Sequence, residues 1–210
     1  MSESGRLLLV RHGHTAGNKS RYVGWEDVPL DETGMRQARS LAVALAAERI
    51  DSVYSSPLRR AYDTARPLAQ PRELTVEVAA GLKEIHFGDY QGVSKSQQMM
   101  RLRHDHLIEP IPGGESLYEV YRRIEPIAAE FAQAMTRGRH LAAIGHYWSN
   151  RMLAAVLQRI PFEAVFDKRD YKPRNASALE IRLDANRDKT HLRWLVAGGD
   201  DMERLQPYRS

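Results

Sequence analysis

The sequence predicts an α/β fold: a three-layer sandwich in which helices flank a mostly parallel central sheet, with a small loop-and-helix cap over the site. Three observations lead there. Short apolar runs such as Leu7-Leu8-Leu9-Val10 read as buried strands. Segments with apolar residues at helical spacing lie between such runs. Strand and helix alternate along most of the chain, the order that builds parallel sheets.

Residues 6–10 form the first strand and feed a loop bounded by Gly13 and Gly17. From 33 to 50, Met35, Ala38, Leu41, Ala42 and Leu45 recur at helical spacing against polar Arg36, Gln37 and Arg39. Residues 51–54 are a second strand, followed by Ser56 as helix cap and Pro57 at the first helical position. The helix 58–68 is expected to stop near Pro67 and Pro71. Residues 74–78 alternate as a strand, and 81–114, rich in Gly, Pro and polar residues, read as an excursion over the site. A helical period runs from 115 to 135, where Pro126 should kink or divide it. Strand 140–145, helix 149–160 and two alternating strands, 178–183 and 191–196, complete the order. With no repeat, low-complexity tract or linker, the 210 residues are expected to form one domain.

Composition narrows the chemistry. Hydrophobic residues at 42% and charged residues at 28% suit a folded globular chain rather than disorder. No apolar run approaches the ~20 residues of a membrane span, and no leader pattern opens the chain, so a cytoplasmic protein is expected. The absence of cysteine removes disulfide scaffolds, thiolate metal sites and cysteine nucleophiles together. A net charge of +4 admits either a polyanion partner or a pocket for small anions.

Ligands of open α/β sheets bind beyond the carboxyl ends of strands. Three such ends carry unusual residues here: Arg11-His12-Gly13-His14-Thr15, Ser56-Pro57-Leu58-Arg59-Arg60, and Gly145-His146. A lone histidine at a strand end is commonly structural, and an Arg-Arg pair is commonly solvated. Their convergence suits phosphate chemistry.

Arg11-His12-Gly13-His14-Thr15-Ala16-Gly17-Asn18 resembles the signature of the histidine phosphatase superfamily, also called the phosphoglycerate mutase-like family. Further segments match in family order: Gly24-Trp25-Glu26-Asp27-Val28-Pro29-Leu30, Ser55-Ser56-Pro57-Leu58-Arg59-Arg60-Ala61, Leu82-Lys83-Glu84-Ile85-His86-Phe87-Gly88, Pro112-Gly113-Gly114-Glu115-Ser116 and Gly145-His146. The resemblance implies a phosphomonoester hydrolase, with His12 as the nucleophile that forms a phosphohistidine and splits one hard displacement into two easier ones. It implies that Arg11, Arg60 and His146 surround the phosphoryl group, that Asn18 and the Tyr147 backbone add hydrogen bonds, and that Glu84 serves as general acid and then base. Neighbouring helical residues diverge by about 100°, so only one of Arg59 and Arg60 should enter the pocket. Arg60 precedes Ala61 as the family arginine does. Asp89 and Glu115 are alternative acids.

Two departures stand out. His14 occupies a position usually held by Glu or Gln, and Tyr147, followed by Trp148, stands where glycine is usual. With Arg21, these three are candidate specificity residues; Lys95, Arg101 and Arg103 could also overhang the pocket. The pairs His12/His14 and His104/His106 offer two metal ligands each without a third, so no metal and no cofactor is expected. The partner expected is a small phosphate monoester, without nucleic acid or membrane, and a homodimer is allowed for. A cofactor-dependent phosphoglycerate mutase and a phospho-ligand-binding pseudophosphatase are the alternatives. Ile85 stands where the mutase pattern carries an arginine.

Overall fold

The computed structural model describes residues 5–17, 20–95, 102–166, 171–184 and 189–199. Among the described residues six strands form one sheet: β1 (Arg6–Arg11), β2 (Ser52–Ser55), β3 (Val76–Val78), β4 (His140–Gly145), β5 (Ala178–Leu183) and β6 (Thr190–Val196). Their spatial order is β3-β2-β4-β1-β5-β6. The four strands from β3 to β1 are parallel, while β5 and β6 are antiparallel additions at one edge. The sheet is therefore mostly parallel, as its strand-helix alternation predicts.

Side-chain alternation divides the core into two layers. Leu7, Leu9, Leu141 and Ala143 face the layer built with Phe131, Met152 and Leu153. Leu8, Val10, Ala142 and Ile144 face Leu41, Leu45, Ala61 and Leu68. The helices α1 (Glu32–Ala44) and α2 (Arg59–Ala69) cover one face; α4 (Leu117–Thr136) and α5 (Tyr147–Leu157) cover the other. A short helix, α3 (Leu102–Asp105), lies in the excursion before α4. Among the described residues, no helix is long and apolar enough to cross a membrane.

Several boundaries differ from the sequence expectation, each for a local reason. Helix α1 ends at Ala44 rather than Ile50. The guanidinium of Arg72 then donates to the carbonyls of Leu45, Ala46 and Glu48, and to that of Leu68 near the end of α2. This one side chain satisfies helix-end carbonyls of two neighbouring helices. Arg72→Ala is expected to cost about 1–2 kcal/mol, read as a lower urea midpoint at unchanged slope. Helix α2 runs past Pro67 to Ala69, and a 3₁₀ turn, Gln70–Arg72, follows. Helix α4 passes through Pro126 undivided. Its start is secured by a capping box between Ser116 and Glu119, and its buried face (Leu117, Val120, Ile124, Ala128, Phe131, Met135) outweighs the one backbone hydrogen bond that proline removes. Helix α5 begins at Tyr147, two residues before the expected Ser149. Ser149 instead turns its hydroxyl back to accept the His146 N–H at 3.0 Å.

Candidate active site

Because β1 and β4 are neighbours in register Arg11↔Gly145, the residues after both strands emerge side by side. The rings of His12 and His146 stand 4.9 Å apart, tilted by 55°. Arg60, in the first turn of α2, reaches the same place from behind β2. Arg11, His12, Arg60, Glu84, Tyr147 and Trp148 line one cleft of about 320 Å³, with Arg21 and Lys95 on its wall.

His12 is held by its own loop. Its Nδ1 lies 2.6 Å from the Gly13 carbonyl, which can only accept, so the ring proton resides there and Nε2 keeps its lone pair. Burial, followed by the Arg60 and Arg11 charges, pushes the imidazole well below its ordinary pKa. A neutral ring is what a nucleophile requires. The loop backbone is tied on several sides: the Asn175 side chain donates to the carbonyls of His12 and Gly13, and the Gly13 N–H donates to Thr64. A Cβ on Gly13 would sit 2.7 Å from the Gly34 carbonyl, so this approach to α1 admits only glycine.

His146 is buried, and its Nε2 pairs with the Ser56 hydroxyl at 2.9 Å. Burial first, then Arg60, His12 and Arg11, hold this ring too well below its usual pKa. The expected helix cap of α2 is therefore a partner of His146, and α2 starts at Arg59 without a side-chain cap.

The arginines are aimed by backbone. Arg60 is 2% exposed and donates to the carbonyls of Gly24 (2.6 Å) and Glu26 (2.8 Å), which fix the plane of its guanidinium. Burial lowers its pKa to about 10, leaving it cationic at neutral pH. Arg11 donates to the Pro173 carbonyl at 2.9 Å and lies 5.5 Å from the Tyr147 ring centre. Arg59 points elsewhere, towards Asp63 at 3.4 Å with 63% of its side chain exposed.

Glu84 is 8% exposed, and its carboxylate accepts three backbone N–H groups: Ile85 at 3.1 Å, Tyr147 at 3.0 Å and Trp148 at 2.9 Å. Its own carbonyl accepts the Trp25 indole at 2.6 Å and Arg123 at 2.8 Å. Arg123 also holds Gly81 and both oxygens of Glu115, so Glu115 is engaged in fixing this loop. These supports were not legible as a set in the sequence, because no motif spacing links Trp25 with Arg123. Removing the indole donor with Trp25→Phe is expected to lower kcat/KM for alkyl phosphates roughly tenfold while sparing that for p-nitrophenyl phosphate, measured by steady-state kinetics on both.

Of the remaining candidates, Arg21 pairs with Glu26 at 2.9 Å on the cleft wall. Lys95 lies 5.8 Å from the Tyr22 ring centre, and burial, then Arg11, lower its pKa. His14 is absent from the cleft lining; its Nδ1 meets Asp31, the cap of α1, at 2.5 Å. Asn18 and Arg101 lie outside the described residues, as does the side chain of Arg103. His104 pairs with Asp105, and among the described residues no group of three or more His, Asp or Glu side chains could hold a metal.

Histidines and arginines gathered at the carboxyl ends of adjacent parallel strands define an anion-handling enzyme of the α/β class. The chain belongs to the histidine phosphatase superfamily (branch 1), whose sequence profile matches residues 7–195. Phosphoserine phosphatase 1 of Hydrogenobacter thermophilus is 34% identical over 170 residues, covering 77% of this chain and 74% of that protein. A 2,3-bisphosphoglycerate-dependent phosphoglycerate mutase of Azorhizobium caulinodans is 32% identical over 177 residues, covering 77% and 85% respectively. The solved structure of a mycobacterial glucosyl-3-phosphoglycerate phosphatase superposes with a TM-score of 0.77 at 30% identity, covering 92% of this chain and 98% of its own.

Proposed function

We propose that this protein hydrolyses the phosphate monoester of a small anionic metabolite through a phosphohistidine on His12. The observation that carries the reading is the cleft itself: a neutral imidazole with a free Nε2, two arginines and a buried carboxyl group line it, and a second imidazole, His146, is buried against the first without lining the cleft.

In the first step His12 Nε2 attacks phosphorus, the P–O bond to the alcohol breaks, and Glu84 gives the leaving oxygen its proton. Arg11, Arg60 and the neutral His146 surround the transferring group, where the two arginine charges and the N–H donors of all three offset charge spreading over its equatorial oxygens. In the second step water attacks the phosphohistidine and Glu84 takes its proton, releasing inorganic phosphate and restoring neutral His12. Asn18 belongs to the same reading as a further donor from the nucleophile loop. No step uses a metal or cofactor.

The substrate's remaining surface would meet Arg21, Lys95, Tyr147 and Trp148, a wall with two cations and two aromatic rings. This favours an ester with a second negative group. The phosphatase relatives act, by their names, on phosphoserine and glucosyl-3-phosphoglycerate, both of which fit that description. A mutase is the less favoured reading, because Ile85, beside the acid, is fully buried and presents no cation to a substrate carboxylate. The whole chain is read as one working domain with residues 81–114 as its cap, acting in the cytoplasm, and a homodimer is compatible with it.

The test is a phosphate-release screen over metabolite phosphates with chelator present. Release from at least one ester is expected. Phosphoryl transfer between glycerates without release would favour the mutase, and silence on every ester would favour a phospho-ligand binder.

A further inference from the structure

The amino end of α5 opens into the cleft, and its first two amides are already occupied. Tyr147 N–H donates to Glu84 Oε2 and Trp148 N–H donates to Glu84 Oε1, so the carboxylate straddles the first turn of an eleven-residue helix. A third donor, Ile85 N–H, completes its set. Such a turn is an anion seat, since its amides lack helical partners and lie at the positive end of the helix dipole. The seat borders His12, Arg11 and Arg60, where a phosphoryl group must lie to be attacked. Two anions therefore have claim to the same amides.

We propose that Glu84 is the resident anion of the phosphoryl seat, and that a bound phosphoryl group displaces its carboxylate from the Tyr147 and Trp148 amides. The proposal rests on the phosphatase reading for the identity of the arriving anion. It adds an order of events: in the empty site the carboxylate is parked on α5, and seating a phosphomonoester monoanion frees it to take up that ester's proton and turn to the leaving oxygen as the acid. The carbonyl of Glu84, pinned by Trp25 and Arg123, keeps the backbone fixed, so the exchange needs only side-chain rotation. An empty site holding its own anion also binds free phosphate more weakly than its cations alone would allow.

The test compares inorganic phosphate affinity, by calorimetry and by competition against p-nitrophenyl phosphate, in the wild type, Glu84→Gln and Glu84→Asp. Aspartate keeps the charge but is one methylene too short to straddle both amides. If the seat is occupied about nine-tenths of the time, both variants should bind phosphate roughly tenfold more tightly. Tightening in Glu84→Gln alone would mean charge repulsion without competition for the seat, and would overturn the proposal. Equal affinity in all three proteins would overturn it as well. Absence of phosphate binding in all three would overturn the phosphatase reading along with it. A second readout needs no variant: saturating phosphate should move the Glu84 side-chain carboxyl ¹³C resonance of the wild type. An unmoved resonance would show that the carboxylate stays on α5.

Discussion

His12→Ala is expected to lower turnover of every phosphate ester by on the order of 10⁴-fold or more, as removal of a covalent nucleophile does elsewhere. The wild type, quenched during turnover, should carry a phosphoryl group that is stable in alkali and lost in acid, the behaviour of a P–N bond. The variant should carry none. The expectation rests on geometry, because the only proton of the His12 ring is committed to the Gly13 carbonyl and Nε2 is left with its lone pair. Undiminished turnover by the purified variant would refute the covalent route. The pH dependence follows from the same surroundings. Burial and the neighbouring Arg60 and Arg11 charges lower the His12 pKa, so the nucleophile stays neutral below the ordinary histidine value of about 6.5. Phosphohistidine formation should therefore persist on the acid side of neutrality. Stability should move the other way. His12 and His146 both have lowered pKa values in the folded state, so the unfolded chain binds more protons below about pH 6.5 and the fold weakens progressively as pH falls through that value. Urea unfolding at pH 7.5 and 5.5 measures it.

Glu84→Gln should reduce turnover of alkyl phosphates by roughly 10²–10⁴-fold, the range over which a positioned general acid acts. p-Nitrophenyl phosphate should suffer much less in the first step, because p-nitrophenolate leaves without a donated proton. The contrast between the two esters in kcat/KM, which reports the first step, separates acid catalysis from general damage to the site; equal losses of kcat/KM on both would argue against the acid role. Glutamine retains the length of the side chain, and the Glu84 backbone carbonyl stays held by Trp25 and Arg123, so the surrounding loop should hold. Because dephosphorylation needs Glu84 as base, the variant should also accumulate the phosphohistidine while turning over p-nitrophenyl phosphate, visible as a burst of nitrophenolate.

His12 was legible in the sequence as a residue type at a strand end within a recognisable family motif, and Glu84 through the resemblance of its loop to the same family alone. So was the choice of Arg60 over Arg59: adjacent helical positions diverge, so only one can point into the cleft, and the resemblance to the family, whose arginine precedes the matching alanine, implies Arg60. Other features were legible only in part. Ser56 reads as the helix cap, yet its hydroxyl accepts the Leu58 N–H just ahead of α2 and pairs with His146, because parallel pairing of β2 and β4 brings residues 90 apart in sequence into contact. The start of α5 reads two residues late, since a serine resembles a cap whichever backbone N–H it accepts. His14, a departure from the family pattern, turns to the cap of α1, leaving Tyr147 and Trp148 to face the substrate region.

The sequence by itself determined the alternation of strand and helix, the absence of thiol chemistry and the residue types that handle phosphate. These are local properties, set by hydrophobic period, turn residues and composition. The tertiary structure alone decided what those residues touch: the tautomer of His12, the carbonyl pair that aims Arg60, and the seat of the Glu84 carboxylate on α5. The last two depend on backbone groups from distant segments and the first on the fold of its own loop, and such donors and acceptors are the same for nearly every residue type. A sequence records side chains, and an amide N–H at a helix start becomes an anion site only once the fold has placed it there.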